Sequence, residues 1–277
     1  MKIKGIGGNI ELQKFFQEDE NMIYRPQYDA NGKKVLCEMG GVNADMLMDI
    51  YVKKMQPGEV LSVNEEKNEC AILLLAGKVQ FAVGSIKEEC ERESPFEKKP
   101  YAVHFCKNMP CTVTAVTDAR VLVQMTDNDR TFDPVFYHPG NCLYQEFGKG
   151  QWGGAGHRIC STMFDYANAP YSNMVMGEVF NQPGKWSSYP PHYHPQPELY
   201  YYEFSRPEGF GAGFEGDTPY KTMTGDCLCI RGGNAHQQVV APGFEMYYVW
   251  LIRHLPGDPW DKTRIYVPEY EWLDYAD

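Results

Sequence analysis

Residues 184–204 read GKWSSYPPHYHPQPELYYYEF, and residues 225–236 read GDCLCIRGGNAH. In the first stretch His192 and His194 are two residues apart, which places both imidazoles on one face of a strand, and Glu198 follows closely. In the second stretch His236 follows a pair of glycines that indicates a turn after a strand. We therefore predict that two β-segments bring together three imidazoles and one carboxylate.

Three imidazoles and a carboxylate form a donor set suited to a divalent transition metal such as Zn, Mn, Fe, Co or Ni. We predict one such ion per chain, with positions left open for a substrate. The predicted ligands are His192, His194, Glu198 and His236. The alternative is that these histidines are surface-loop residues beside the neighbouring prolines. That alternative leaves unexplained why three of only seven histidines in the chain fall on one pattern.

The rest of the chain has the character of an all-β protein. Segments such as CAILLLAGKVQF, CTVTAV and EMYYVWLI are short, rich in β-branched and aromatic residues, and bounded by turn-forming residues. Helical periodicity is weak, and we expect it only at residues 10–18 and 164–167. This pattern is typical of a β-sandwich or a β-barrel.

An internal repeat predicts two tandem domains, at residues 1–150 and 151–277. The pairs Pro57-Gly58 and Pro183-Gly184 each open a strand-rich segment, and the same separation of 126 residues aligns CTVTA with QQVVA. That separation carries the four predicted ligands onto residues that cannot hold the same ion: Glu66, Asn68, Ile72 and Pro110. We therefore expect the first domain to be structural or to form an oligomer contact, and we expect His104 to be a core or edge-strand residue and not a ligand.

Charge and composition exclude several classes of function. The net charge is −11, which disfavours nucleic acid and anionic membrane surfaces as partners. No apolar run reaches the roughly 18–20 residues that span a bilayer, and the first residues lack a signal-peptide pattern. Nine scattered cysteines without a CxxC pair suit a reducing compartment. We therefore expect a cytoplasmic protein.

The two metal segments resemble the paired motifs of the cupin barrel, HxH(x)3–4E and G(x)5PxG(x)2H, with Arg231 where the family usually has Pro. With the repeat, this resemblance implies a bicupin of two tandem jelly-roll β-barrels. The chain also resembles the 5-deoxy-glucuronate isomerases, which are related to 5-keto-4-deoxyuronate isomerase. The segments that carry this resemblance are GAGHR at 154–158, PGKWSSYPPHYH at 183–194 and GGNAHQQVVAPGFEMYYVWLI at 232–252.

The resemblance implies a metal-dependent aldose–ketose isomerase that converts 5-deoxy-glucuronate to 5-keto-2-deoxygluconate in myo-inositol catabolism, acting as a homo-oligomer. Such a reaction needs an acid or base near the metal, and we expect Glu178 or Tyr248. Either has a structural alternative, since Glu178 can pair with an arginine and Tyr248 can pack in the barrel. A sugar-acid substrate also needs a cation for its carboxylate, and we expect Arg158 first and Lys185 second. Trp186 and Tyr189 are expected to form a wall of the sugar site.

Three other functions stay open on the sequence. A cupin with this donor set also suits an Fe(II) dioxygenase. An isomerase of a related uronate or keto-sugar acid has the same motifs. A sugar-binding cupin that uses the ion only for structure is a third alternative, and it predicts no turnover.

Overall fold

The computed structural model describes residues 23–275 of the chain. Their regular structure is almost entirely strand, with a few short 3₁₀ helices, which confirms the all-β prediction. The helix expected at residues 10–18 lies outside the described residues. The helix expected at 164–167 is wrong, because the backbone N–H groups of Asp165 and Ala167 bond to the side chains of Asn168 and Asp165 and form a turn.

Ten strands precede residue 140. They are β1 (Ile23–Tyr24), β2 (Lys33–Cys37), β3 (Asp49–Met55), β4 (Val60–Val63), β5 (Asn68–Val83), β6 (Ile86–Arg92), β7 (Ala102–Phe105), β8 (Cys111–Ala115), β9 (Ala119–Asp127) and β10 (Val135–Tyr137). The 3₁₀ helices of this half are Ala44–Met46 and Pro95–Glu97.

Eleven strands follow. They are β11 (Leu143–Phe147), β12 (Arg158–Phe164), β13 (Met174–Asn181), β14 (Trp186–Tyr193), β15 (Glu198–Phe204), β16 (Phe210–Glu215), β17 (Thr218–Met223), β18 (Cys227–Ile230), β19 (His236–Val240), β20 (Met246–Arg253) and β21 (Ile265–Tyr266). The 3₁₀ helices of this half are Gln151–Gly154 and Pro268–Tyr275.

The strands form two antiparallel barrels. Strands β2 to β10 make one nine-stranded sheet, which folds over because the long strand β5 pairs with β7 and β9 at its start and with β6 and β8 at its end. The second barrel has a seven-stranded sheet in the order β1-β18-β15-β20-β13-β12-β11. Its opposite sheet has the order β17-β16-β19-β14-β21.

The repeat predicted from the sequence is present in the strands. Strands β3, β4 and β9 of the first barrel recur as β13, β14 and β20 of the second, at nearly the predicted separation. The chain passes from one barrel to the other between β10 and β11. Strand β11 lies within the predicted domain 1–150, yet it pairs with β12 of the second barrel.

Continuous apolar runs in the sequence are strands buried on both faces. In β5, alternate residues point into the first barrel and into the contact between the barrels. The first set is Cys70, Ile72 and Leu74, and the second is Ala71, Leu73 and Leu75. Strand β20 does the same in the second barrel, with Tyr248 and Trp250 inside and Tyr247 and Val249 between the barrels. The two barrels are therefore packed sheet on sheet through a shared apolar layer.

Candidate metal centre

Neighbouring strand ends bring the predicted ligands together. Strands β14 and β19 are antiparallel neighbours, and their register places His192 directly opposite His236. His194 follows the end of β14, and Glu198 is the first residue of β15 on the other sheet. The four side chains are buried, with at most 4% of each residue exposed.

Three of the four predicted ligands form a compact donor set. The side chains of His194, Glu198 and His236 each offer one ligand atom, and these atoms all lie within 4.8 Å of one another. Glu198 Oε2 is 3.2 Å from His194 Nε2 and 3.2 Å from His236 Nε2. His192 lies beside this set, with its ring centre 4.7 Å from that of His236.

Hydrogen bonds fix two of the imidazole rings. Nδ1 of His192 donates to the carbonyl of Pro190 at 2.8 Å, and Nδ1 of His236 donates to the carbonyl of Asn234 at 3.1 Å. In both rings the proton is therefore on Nδ1, which leaves the lone pair of Nε2 available to a ligand.

The donor set fits a divalent cation. Nε2 of His236 is buried and has no hydrogen-bond partner among residues 23–275, although a carboxylate oxygen is close by. Buried polar atoms are normally paired, so an unpaired nitrogen facing a carboxylate is suited to coordinating an ion. Nitrogen and oxygen donors together favour a transition metal.

Two glycines hold the ligand segments against each other. The N–H of Gly233 donates to the carbonyl of His194 at 2.7 Å, and Gly233 adopts a φ of +87°, which favours glycine. A Cβ at Gly232 would collide with the carbonyl oxygen of Pro195. The Gly-Gly pair before His236 is therefore what lets the turn approach the first motif.

The local electrostatics keep His192 and Glu198 in their ligating forms. Burial lowers the pKa of His192 well below its ordinary value, and the neighbouring His236 lowers it further. Burial alone would raise the pKa of Glu198, yet the facing imidazoles of His194 and His236 hold it well below its ordinary value. A neutral imidazole and an ionised carboxylate are the forms that bind metal.

A cavity of about 230 Å³ opens beside the donor set. Two predicted site residues line it with the ligands: Arg158, from the start of β12, and Tyr248, from β20. The hydroxyl of Tyr248 donates to Ser187 Oγ at 3.0 Å. Burial raises the pKa of Tyr248 to about 12, so its phenol is protonated near neutral pH. The structure thus brings these two residues and the metal donors into one site.

Three other predicted substrate residues are not among those that line this cavity. Trp186 stacks on Phe214 with ring centres 5.9 Å apart, and Tyr189 lies edge-on to Trp152 at 4.9 Å. Lys185 is on the turn before β14, where its backbone pairs with Val240. These residues lie in or just before the first half of β14, whereas His192 and His194 at its end line the cavity together with Ser188.

Glu178 lies on the face of β13 that meets the first barrel. Its carboxylate pairs with Arg92, with Nη1 and Oε1 2.6 Å apart, and both residues are fully buried. It also accepts a hydrogen bond from the Tyr247 hydroxyl at 2.6 Å. This carboxylate is saturated by partners between the barrels and does not line the cavity, so we do not carry it forward as an acid or base.

His104 was expected to be a core or edge-strand residue, and the structure places it in the core. Its ring is fully buried and stacks on Phe164 with ring centres 4.1 Å apart, and its Nε2 lies 3.0 Å from Glu69 Oε2. It belongs to the contact between the barrels.

Several residues that line the cavity were not predicted from the sequence, and most of them come late in the chain. The segment between β20 and β21 supplies Trp260, Lys262 and Arg264, and β15 supplies Tyr200. The late segment carries no recognised motif. Its only sequence signal is two cations close to a tryptophan, which is common on surfaces.

Comparisons with known proteins agree with this architecture. A model of the KduI/IolB family matches residues 22–273. A 5-deoxy-glucuronate isomerase of Bacillus licheniformis is 25% identical over 276 residues, covering 91% of this chain and 98% of the relative. One of Halalkalibacterium halodurans is 30% identical over 236 residues, covering 79% and 85%.

Solved structures show the same fold. An IolB-like protein from Salmonella typhimurium superposes with a TM-score of 0.82 at 19% identity, over 92% of this chain and 99% of the other. Oxalate decarboxylase from Lactobacillus farciminis, solved as a formate complex, gives 0.65 at 11% identity over 93% and 91%. The predicted bicupin fold is thus confirmed. The chain belongs to the KduI/IolB family, and it is an isomerase with two tandem cupin barrels.

Proposed function

We propose that this chain is a metal-dependent sugar-acid isomerase that converts 5-deoxy-glucuronate to 5-keto-2-deoxygluconate in myo-inositol catabolism. The observation that carries the proposal is the buried set of His194, Glu198 and His236, of which His194 and Glu198 line a cavity that arginine and tyrosine side chains also line. The names of the relatives support the substrate, because they match this chain over most of their length.

His194, Glu198 and His236 would hold one divalent ion, with His192 available from the adjacent strand. Such an ion would act as a Lewis acid toward the carbonyl oxygen of the sugar. The protein positions the sugar between this donor set and the opposite wall of the cavity. The aromatic rings of Tyr200 and Trp250 line that space and exclude water from it.

Isomerisation moves a proton between two neighbouring carbons, and a carbonyl oxygen becomes a hydroxyl. Tyr248 is protonated near neutral pH and lines the cavity, so its phenol is the group we assign to donate a proton to that oxygen. Ser187 Oγ lies 3.0 Å from the same hydroxyl and fixes its position, and the O–H turns from Ser187 toward the sugar oxygen when the substrate is bound. The predicted role of Tyr248 is therefore that of an acid.

The test is NMR of 5-deoxy-glucuronate incubated with purified, metal-loaded protein in the absence of oxygen. We expect signals of 5-keto-2-deoxygluconate to appear, and we expect none with a Glu198→Ala protein of unchanged fold. Conversion that requires oxygen would contradict the proposal and favour the Fe(II) dioxygenase. Tight sugar binding without any conversion would favour the non-catalytic cupin. Conversion of a different uronate alone would keep the reaction type and change the substrate.

Several expectations from the sequence stay predictions. Cytoplasmic location, a homo-oligomeric state and the absence of nucleic-acid and membrane partners are among them. Among residues 23–275, no helix has the length and apolar character required to cross a bilayer.

A further inference from the structure

The cavity beside the donor set has a strongly cationic wall. Arg158, Lys262 and Arg264 all line it, whereas the one carboxylate that residues 23–275 contribute to its lining, that of Glu198, faces the imidazoles. Three cations around one cavity are unexpected in a chain whose net charge is −11. Such a local excess of positive charge attracts an anionic ligand.

The three cations differ in whether an acidic side chain of the protein neutralises their charge. Nζ of Lys262 is 2.8 Å from Asp165 Oδ2, so its charge has a partner. Neither Arg158 nor Arg264 takes part in any ion pair within the described range 23–275. The uncompensated positive charge of the cavity is therefore that of two guanidinium groups.

Arg158 is buried, and no acidic residue of the described part of the chain forms an ion pair with it. Only 7% of the residue is exposed, its Nη1 donates to the carbonyl of Gly156 at 3.0 Å, and its guanidinium lies over the Phe147 ring at 5.2 Å. Burying an unpaired charge is costly, and buried charges in proteins are normally paired. A buried arginine that lines a cavity and has no acid is thus prepared for an anion from outside the chain.

Arg264 adds a second charge to the same space. Burial lowers the pKa of Arg158, and the positive charge of Arg264 lowers it further. Two like charges repel each other across a cavity unless an anion lies between them. Arg264 immediately precedes β21, and Tyr266 of β21 pairs with His192 of β14. This pairing fixes the segment that carries Arg264 relative to the metal donors.

We infer that Arg158 and Arg264, the arginine pair, together bind the carboxylate of the substrate and that Arg264 is a specificity-determining residue for sugar acids. This inference rests on the proposed function. The planar fork of each guanidinium can present two N–H groups to carboxylate oxygens. The arginine pair then holds the acid end of the sugar while the reacting carbonyl faces His194, Glu198 and His236.

The first test compares variants of the metal-loaded enzyme with 5-deoxy-glucuronate. For Arg264→Gln we expect KM to rise about 10- to 100-fold, the effect of losing a charge-assisted hydrogen bond, with kcat changed much less. Arg264→Lys should recover part of the loss. Arg264 is exposed, so its substitution leaves the core intact. The matched control is Arg206→Gln, which removes an exposed arginine from a turn outside the cavity and should leave KM unchanged.

The second test measures binding without turnover. Calorimetry with methyl glucuronide and methyl glucoside, which differ in having a carboxylate or a hydroxymethyl group, should show at least about tenfold preference for the glucuronide. The preference should disappear in Arg264→Gln and in Arg158→Gln. Equal binding of the two glycosides by the unmodified protein, or an unchanged KM in Arg264→Gln, would overturn the inference.

The two tests separate this inference from the proposed function. If the protein prefers the glucuronide through Arg264 but does not isomerise 5-deoxy-glucuronate, the proposed function fails and the arginine pair stands. If it isomerises 5-deoxy-glucuronate and Arg264→Gln has the KM of the unmodified enzyme, the proposed function stands and the arginine pair fails.

Discussion

The two barrels share one strand plan but differ in what fills them. Strand β19 of the second barrel begins at the buried His236, and the equivalent strand β8 of the first barrel begins at the buried Cys111. Cys111 packs among aliphatic side chains, and burial raises the pKa of its thiol to about 12. A neutral thiol in an apolar core is not a metal ligand. The comparison teaches that a few side chains at strand ends determine which chemistry a barrel can host.

The largest expected difference between the barrels follows from replacing a predicted ligand of the second barrel and, separately, the equivalent residue of the first. We expect His236→Ala to lower turnover by about 1000-fold or more, since a bound cation contributes several kcal/mol to transition-state stabilisation. Cys111→Ala should cost about 1 kcal/mol of stability and leave turnover intact. Steady-state kinetics and denaturant unfolding measure both. Equal loss of turnover in the two variants would contradict the account.

The contact between the barrels should be structural and not catalytic. Glu178→Gln breaks the buried pair with Arg92, so we expect the free energy of unfolding to fall by roughly 3 kcal/mol. At a temperature where the variant is folded, its kcat should stay within about threefold of the unmodified enzyme. A folded Glu178→Gln protein without turnover would restore Glu178 as the catalytic base.

Adjacent tyrosines on opposite faces of β20 separate the cavity from the barrel contact. Tyr248→Phe removes the phenol that lines the cavity and should lower kcat by about 100-fold, the effect of losing a general acid. Tyr247→Phe removes the hydrogen bond to Glu178 and should cost about 1–3 kcal/mol of stability, with kcat nearly unchanged. Measurement of kcat and of unfolding for both variants tests this. A loss of kcat in Tyr247→Phe together with a loss of stability alone in Tyr248→Phe would contradict the faces of β20 on which the two side chains lie.

A titratable residue at the end of β20 has no equivalent in the first barrel. His254 accepts a hydrogen bond on Nδ1 from the Trp260 N–H at 3.0 Å, and the predicted repeat places Asn128 at the equivalent position. Burial lowers the pKa of His254 to about 4. The unfolded chain therefore binds a proton near pH 6 that the folded chain does not, and stability is lost as pH falls from about 6.5 toward 4.

Protonation of this histidine in the unfolded chain should lower the free energy of unfolding by about 2 kcal/mol as the pH falls from about 6.5 to 5. His254→Asn, which copies the first barrel, should make the pH dependence shallower by that amount. Urea unfolding at several pH values measures it. An identical slope in the unmodified protein and His254→Asn would contradict the assignment.

Much of the fold and the metal donors could be predicted because their signals are local. His192 and His194 share a strand face by their spacing, and the short connection to β15 keeps Glu198 close to them. The second motif adds His236 through a turn that the sequence marks with two glycines. The resemblance to known bicupins supplied the architecture, and it also placed Arg158 in the site.

The rest depends on tertiary structure. Strand β13 is buried on both faces, so alternation of polar and apolar residues does not reveal that Glu178 points away from the cavity. Arg264 is in a late segment without a motif, and it reaches the cavity only because β21 pairs with β14. Trp186 and Tyr189 are near the histidines in sequence, but they pack at the other end of β14. The assignment of Trp186 and Tyr189 to the sugar wall stays a prediction.

The most direct test of the central claim is the metal content of the purified protein, measured by mass spectrometry after addition and removal of excess divalent salts. The account predicts one transition-metal ion per chain in the unmodified protein and in Cys111→Ala, and none in His236→Ala or Glu198→Ala. A protein that binds no ion under any of these salts, or a His236→Ala protein that keeps a full complement, would contradict it.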